Sequence, residues 1–131
     1  MNALQKIHTT EEQKVLKIFN QHVTAFTSGN LDAVLNDFSD KSVVITPDGV
    51  FEGLAQIRSL YQDLLTEFGI IDRGDSPGLH IDKLRVRHDT LFITWHAESR
   101  NHSFPFGTDT FVCDKGKVKR QSISFPPPQP R

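Results

Sequence analysis

The spacing of apolar residues changes once along this chain of 131 residues, and that change constrains the fold more than any other feature. Up to about residue 68, apolar residues recur every three or four positions, as they do in amphipathic helices. From Leu79 onward they alternate with polar residues, as they do in half-buried strands. Helices first and strands afterwards predict an α+β domain, because a parallel α/β sheet needs the two types to alternate.

Three helices are predicted in the first half. Thr10-Glu11-Glu12-Gln13 has the pattern of a capping box, in which a threonine and the residue three positions later bond each other's backbone N–H groups. The helix that begins there is expected to stop at Ser28-Gly29-Asn30, where a short second helix over 31–38 begins. The third runs from Leu54 to about Gly69, before a loop rich in Gly, Asp and Ser over 72–78.

Strands are predicted in two places. Ser42–Thr46 and Val50–Glu52 are short β-branched runs around the turn Pro47-Asp48-Gly49, so they predict a hairpin. The alternating runs of the second half are separated by tight turns at His88-Asp89 and Asp114-Lys115-Gly116. These runs predict an antiparallel meander.

One domain is expected over residues 1–125, because the length suits a single core and no linker interrupts it. Residues 126–131 form a proline-rich tail. Proline lacks the N–H group that a β-ladder needs, so we expect this tail to be frayed.

Composition and charge argue against several classes of protein. Fifteen Lys and Arg against sixteen Asp and Glu give a net charge of −1, so no basic surface is expected to bind nucleic acid. No apolar run is long enough to cross a membrane, and the first residues lack the apolar segment of an export signal. The single cysteine, Cys113, cannot form an intramolecular disulfide or a zinc module. Together these features predict a soluble cytoplasmic protein.

Several segments in register resemble the nuclear transport factor 2-like superfamily, which includes SnoaL-like and ketosteroid-isomerase-like proteins. They are His22–Asp32, Ser42–Gly53, Gln56–Tyr61, Gly107–Val112 and Gly116–Val118. The resemblance covers roughly residues 10–125 and implies a single SnoaL-like domain. It implies a cystatin-like cone, in which a strongly curved antiparallel mixed sheet wraps on the N-terminal helices around an internal pocket.

The resemblance also implies a homodimer through the convex face of the sheet. Alternation divides one predicted strand into two faces, with Phe92, Thr94, His96 and Glu98 on one and Leu91, Ile93, Trp95 and Ala97 on the other. We assign the His96 face to the pocket. The Trp95 face is then assigned to the partner subunit, because an apolar face outside the pocket needs a cover.

Ketosteroid isomerase provides a template for the site, in which a carboxylate base moves a proton beside a carbonyl group while a Tyr and a protonated Asp hold the oxyanion. Matched by position, the resemblance places His22 at the oxyanion Tyr, Asp109 at the protonated Asp and Tyr61 at a supporting pocket Tyr. The catalytic base corresponds to Thr46, whose hydroxyl cannot act as a general base near neutral pH. The ordinary isomerase mechanism therefore does not carry over.

The remaining polar residues define a catalytic hypothesis. His96 and Asp109 resemble the histidine and aspartate that SnoaL-like cyclases use as acid and base. Asp109 is expected to exchange a proton with a small hydrophobic carbonyl compound, while His96 or His22 hydrogen-bonds the developing enolate. The residues expected to bind the ligand are Tyr61, Thr46, Phe19, Phe92, Phe111 and Gln121.

Two other functions stay open from the sequence. One is binding of the same ligand without turnover, which the threonine at the base position favours; the other is a dimerisation module with a vestigial pocket. In both, Asp109 is a structural hydrogen-bond partner rather than a catalyst. No metal-binding histidine spacing, P-loop or dinucleotide motif is present, so neither a metal nor a cofactor is expected.

Overall fold

The computed structural model of the protein describes residues 7–70 and 78–131, so all of the predicted loop except Gly78 lies outside the described residues. The helices are α1 (Thr10–Thr27), α2 (Leu31–Leu35) and α3 (Gly53–Glu67). The strands are β1 (Val43–Thr46), β2 (Gly49–Glu52), β3 (His80–Arg87), β4 (Thr90–Glu98), β5 (His102–Asp114), β6 (Lys117–Ser124) and β7 (Gln129–Pro130). This order confirms the α+β class and the early hairpin.

The capping box of α1 lies one residue before the predicted one. The Thr9 hydroxyl accepts a hydrogen bond from the Glu12 N–H at 3.1 Å, and the Glu12 carboxylate accepts one from the Thr9 N–H at 3.0 Å. The second Glu12 oxygen accepts a bond from the His88 N–H at 3.0 Å, in the turn between β3 and β4. The prediction of Thr10 as the cap was wrong because Thr9 with Glu12 and Thr10 with Gln13 both fit the capping-box pattern, and the structure uses the first pair.

We expect Thr9→Ala to lower the free energy of unfolding by about 1 kcal/mol, because it removes the side-chain acceptor of the cap. Thr10→Ala is the matched control and should change that free energy by less than about 0.5 kcal/mol, since Thr10 is exposed and already helical. Urea unfolding of both variants measures the difference. A larger loss at Thr10 than at Thr9 would contradict the position of the cap.

The sheet is mixed, open and curved. Its strand order is β2-β1-β6-β5-β4-β3, and β7 pairs with the start of β5. Strands β3 to β6 form the predicted antiparallel meander, while β1 runs parallel to β6. The ladders change register at Ile81/Lys83, Trp95/Ala97 and Val112/Cys113. Such bulges bend strands, so the sheet curves around the helices.

The two faces of β4 are the reverse of the assignment made from sequence. The buried residues of β4 are Leu91, Ile93, Trp95 and Ala97, all at most 8% exposed, whereas Phe92 is 38% exposed. Alternation fixes which residues share a face, but it does not say which face meets the helices. The prediction was wrong for that reason, and Trp95 cannot be the contact for a second subunit on the convex face.

The C-terminal tail is docked, which corrects the prediction that it is frayed. Gln129–Pro130 pairs with the start of β5 as strand β7. The Arg131 N–H donates to the Asn101 carbonyl at 2.9 Å, and the Arg131 guanidinium donates to the Ser99 carbonyl at 2.7 Å. Pro130 is tolerated at this sheet edge because Arg131 supplies the N–H group that proline lacks.

Candidate functional site

An apolar cavity of about 100 Å³ lies between the concave face of the sheet and helices α1 and α3. Much of its wall is aromatic carbon, contributed by Phe19, Phe26, Phe68, Phe104, Phe111 and Phe125. Four side chains with polar atoms also reach the wall, namely His22, Tyr61, Trp95 and Asp109. The volume is of the order at which a cavity accepts a single benzene ring.

Asp109 is the one carboxylate among the described residues that line the cavity. Its Oδ1 accepts a hydrogen bond from the Trp95 Nε1–H at 2.9 Å, and its Oδ2 accepts one from the Gln121 amide at 3.0 Å. The two donors approach from β4 and β6, the strands on either side of β5. Two donors directed at one carboxyl group suit its ionised form, because a carboxylate can only accept.

A chain of hydrogen bonds continues from Asp109 to helix α1. The Oε1 of Gln121 accepts a hydrogen bond from the Tyr61 hydroxyl at 2.7 Å, and the Tyr61 oxygen lies 3.2 Å from His22 Nε2. The Tyr61 hydroxyl has one hydrogen and gives it to Gln121. Nε2 must therefore carry the hydrogen of the bond between His22 and Tyr61.

Asp37 contacts the other ring nitrogen of His22. The His22 Nδ1 and an Asp37 carboxylate oxygen are 3.4 Å apart, and both side chains are buried. The two atoms do not meet the geometry of a hydrogen bond, and neither has a hydrogen-bond partner in the described part of the chain. Because Nε2 already carries a hydrogen, a second one on Nδ1 gives an imidazolium that pairs with the Asp37 carboxylate. The Asp37 carboxylate is therefore placed to balance a positive charge on the His22 ring, beside the cavity.

Burial raises the pKa of Asp109 from its ordinary value of 3.8 to about 6, because apolar walls replace the water around the carboxylate. The hydrogen bonds from Trp95 and Gln121 and the charge of His22 oppose this shift only in part. Asp109 keeps some accessible surface because it borders the cavity, although protein atoms surround it. A carboxyl group that titrates near neutral pH can both take up and return a proton.

Burial also raises the pKa of Tyr61 well above its ordinary value, and the negative charge of Asp109 adds to the effect. Tyr61 therefore stays a neutral hydroxyl across the physiological range of pH. It serves as a fixed donor to Gln121, which in turn directs its amide hydrogens at Asp109.

The raised pKa of Asp109 makes stability depend on pH. The native state holds this proton more tightly than the unfolded chain between about pH 4 and pH 6. The wild-type protein should therefore lose roughly 3 kcal/mol of stability relative to Asp109→Asn as pH rises through that window. Urea unfolding at several pH values measures the difference, with Asp48→Asn, at an exposed turn, as the control for removing one charge. A difference that does not change with pH would contradict the buried titration.

The structure brings most of the predicted site residues together. The predicted residues that line the cavity are Phe19, His22, Tyr61, Asp109 and Phe111. Gln121 does not line it, but joins Tyr61 to Asp109 through its amide. The roles of these residues in catalysis or binding remain predictions.

Three predicted site residues lie outside the cavity. His96 faces away from it, with its Nδ1 2.8 Å from an Asp82 carboxylate oxygen and its side chain 43% exposed. Phe92 shares that outer face, so both residues were misplaced by the reversed assignment of β4. Thr46 lies at the tip of the β1–β2 hairpin, where its hydroxyl accepts a bond from the Asp48 N–H at 3.1 Å.

Two residues of the site were missed by the sequence analysis. Trp95 was placed on the outer face, although a buried indole N–H needs an acceptor and an aspartate on the next strand can provide one. Asp37 follows the buried Val34 by three positions, which puts a charged group on the buried side of a helical segment. Each signal was present in the sequence, but only packing showed that both residues meet at one site.

No grouping of three His, Cys, Asp or Glu side chains suited to a metal ion occurs within residues 7–70 and 78–131. Four histidines outside the cavity each lie within 4.0 Å of one carboxylate among the described residues: His8 of Glu12, His88 of Glu11, His96 of Asp82 and His102 of Glu67. The described helices include none that is both long and apolar enough to cross a membrane.

No protein-family model and no curated protein matches this sequence. Solved structures match it over most of its length. An NTF2-like protein of unknown function from Cytophaga hutchinsonii has a TM-score of 0.71 at 11% identity, with 94% of this chain and 96% of that chain covered. A SnoaL-like polyketide cyclase from Jannaschia sp. CCS1 has a TM-score of 0.71 at 12% identity, with 91% and 90% covered. The epoxide hydrolase/cyclase-like enzyme SalBIII has a TM-score of 0.74 at 18% identity, with 90% and 95% covered.

Proposed function

We propose that this chain, which has the fold of the NTF2-like and SnoaL-like proteins, binds one small, largely apolar compound in its cavity and transfers a proton through Asp109. The observation that carries the proposal is a single carboxylate in a carbon-lined cavity, held as an acceptor by Trp95 and Gln121. Such a carboxylate accepts a proton from a bound compound without help from a cofactor.

An isomerase-type or cyclase-type reaction fits this site. A carbonyl group acidifies the hydrogens on the neighbouring carbon, and Asp109 would remove one of them and return it elsewhere on the same compound. The solved neighbours include a polyketide cyclase and an enzyme of pyran ring formation. Because these proteins are at most 18% identical to this chain, their likeness shows the fold alone, and the reaction class is proposed from the site.

His22 is the residue that we propose to stabilise negative charge on the compound during the reaction. It lines the cavity, and the Asp37 carboxylate oxygen 3.4 Å from its Nδ1 would balance a positive charge on the ring. A positive charge beside an apolar cavity acts strongly on negative charge that develops there. His96 cannot share this role, because it lies on the outer face of β4.

A deuterium-exchange screen tests the proposal whatever the final product of the reaction is. The protein is incubated in D₂O with small cyclic and aryl ketones and aldehydes that carry hydrogen on the carbon next to the carbonyl group, and NMR follows the loss of those C–H signals beyond the rate in buffer. We expect exchange with at least one of these compounds and none with Asp109→Asn. Exchange that persists in Asp109→Asn would remove Asp109 from the reaction.

Binding without turnover is the second candidate function. It is favoured by the hydrogen bonding of the cavity, where Trp95 and Tyr61 already give their polar hydrogens to Asp109 and Gln121. An enzyme that forms an enolate needs donors aimed at the developing charge. Compounds that bind but never exchange deuterium in the presence of the protein would favour this second function.

We further propose a homodimer through the convex face of the sheet. The reason is a row of exposed apolar residues on that face and not Trp95, which is buried. One cross-strand row on this face runs through Val50, Ile45, Ser122, Thr110 and Phe92. The large apolar members of the row are all exposed, at 61% for Val50, 48% for Ile45 and 38% for Phe92. The side chains between them, Ser122 and Thr110, are small, so a second copy could approach the sheet closely at this row.

Light scattering should therefore give a mass twice the 14.8 kDa of the chain. Thr110→Glu places a charge within the row, beside Phe92, and should return the mass to that of one chain, because a buried unpaired carboxylate opposes association. A wild-type protein that is monomeric at concentrations of about 100 μM or more, far above the Kd of a stable dimer, would remove the dimer. A cytoplasmic location stays a prediction from the sequence.

A further inference from the structure

The hydrogen-bond donors that line the cavity are already engaged within the protein. Trp95 Nε1–H donates to Asp109, and the Tyr61 hydroxyl donates to Gln121. His22 gives its Nε2–H to Tyr61, and its Nδ1 faces Asp37. Among the described residues, therefore, no lining side chain keeps a polar hydrogen for a ligand.

Asp109 keeps hydrogen-bond acceptor positions that Trp95 and Gln121 do not use. An ionised carboxyl group has about four acceptor positions on its two oxygens. Trp95 and Gln121 use one on each oxygen of Asp109, and Asp109 borders the cavity. Among the described side chains that line it, the cavity therefore offers an acceptor to a ligand and no free donor.

This imbalance discriminates between polar groups on a ligand. A carbonyl oxygen would enter without a donor and lose its bonds to water, which is costly in an apolar cavity. An ammonium group brings three hydrogens to a cavity in which Asp109 is the one carboxylate, so part of its hydration would not be replaced. A hydroxyl group brings one hydrogen, which Asp109 can accept.

The size of the cavity and the shape of its wall further limit the class of ligand. The volume of about 100 Å³ suits one ring, and the wall is rich in aromatic side chains that pack edge to face, such as Phe19 against Phe111. We propose that the cavity selects a one-ring hydroxyl compound, a phenol or a cyclic alcohol, whose O–H donates to the Asp109 carboxylate. This inference rests on the proposed binding of one small compound and names that compound's class. It favours the second candidate function, because the cavity with ionised Asp109 disfavours the carbonyl compound of the proton-transfer reaction.

The preference for hydroxyl over carbonyl compounds should reverse at low pH, where Asp109 is protonated. The titratable groups that face Asp109 are His22 from α1 and Tyr61 from α3, with Asp37 behind His22. Tyr61 stays a hydroxyl, so Asp109 is the group at the cavity that changes between acceptor and donor. When protonated, Asp109 has a hydrogen to give and should accept a carbonyl compound in preference to a hydroxyl compound.

The single tryptophan, Trp95, allows a site-specific test, because its Nε1–H is bonded to Asp109 and reports on ligands beside it. The wild-type protein is titrated with phenol, benzaldehyde, benzylamine and toluene at about pH 8 and about pH 5, on either side of the Asp109 titration, while NMR follows the indole N–H signal. At the higher pH we expect phenol to bind at least about tenfold more tightly than toluene, since its hydrogen bond is made to a charged group. At the lower pH the affinity of benzaldehyde should rise relative to that of phenol.

Asp109→Asn is the comparison variant, and its affinities should lose their dependence on pH. Benzaldehyde or benzylamine binding more tightly than phenol at about pH 8, or toluene binding as tightly as phenol, would overturn the hydroxyl preference and leave the cavity as a ligand site. Failure of all four compounds to move the indole signal would overturn the binding proposal together with this inference. The two pH conditions keep the test decisive on the wild-type protein, even where the variant folds poorly.

Discussion

Asp109→Asn should slow proton transfer on a compound found by deuterium exchange by about 10²- to 10⁴-fold, which is the usual contribution of a general base. The amide cannot take up a proton, whereas its shape lets it occupy the same space between Trp95 and Gln121. The measurement is the exchange rate of wild type and variant at equal concentrations. A loss of less than about threefold would show that Asp109 is a structural partner.

The rate of the same reaction in the wild-type protein should change in only one direction as the pH rises. The pKa of Asp109 is about 6, so little of the carboxyl group is ionised well below that pH and nearly all of it is ionised well above. The rate should rise with pH, with a midpoint at about 6, and then level off. A rate that falls over this range would mean that the protonated form acts, as a donor to the compound, and would exchange the roles proposed for Asp109 and His22.

Gly107→Ala should lower the free energy of unfolding by about 3 to 5 kcal/mol and disturb the site. Gly107 lies directly opposite Trp95 on the neighbouring strand, and the indole ring covers it. A Cβ at this position would overlap the ring carbons Cζ2 and Cε2 of Trp95. The ring would have to move, and the hydrogen bond from its Nε1–H to the Asp109 carboxylate would be lost with it.

A double-mutant cycle with Trp95→Leu separates this overlap from a general effect of the added methyl group. In the Trp95→Leu background, Gly107→Ala should cost less than about 1 kcal/mol, because the ring carbons it meets are absent. Urea unfolding of the four proteins gives the coupling free energy. A cost that is the same in both backgrounds would contradict the inward position of Trp95.

Much of the fold follows from local pattern, which acts over neighbouring residues. The helical spacing before residue 68 and the alternation after Leu79 predicted the helices and the meander that the structure has. The resemblance of the sequence to SnoaL-like proteins is confirmed for the fold by solved structures that share 18% of residues or fewer with this chain. The resemblance also indicated Asp109, His22 and Tyr61, which line one cavity.

In the sequence, the resemblance of His96 to a catalytic histidine favoured one face of β4 as the inward face, whereas the apolar residues Leu91 and Ile93 favoured the other. Trp95 and Phe92 are both aromatic, and either could have packed against the helices. The pairing of Ile93 with Asp109 and the bulge after Trp95 set the phase, and both depend on residues far apart in the chain. His96 was misplaced as a result.

By itself, the sequence determined the order of helices and strands, the turns and the type of residue at the site, because these depend on near neighbours. Only the tertiary structure decided the direction of the hydrogen-bond chain. Tyr61 has one hydrogen and gives it to Gln121, so His22 must donate to Tyr61 and Asp109 can only accept. These side chains come from two helices and three strands, with Asp37 following a third helix, and the balance of donors and acceptors in the cavity exists only once packing brings them together.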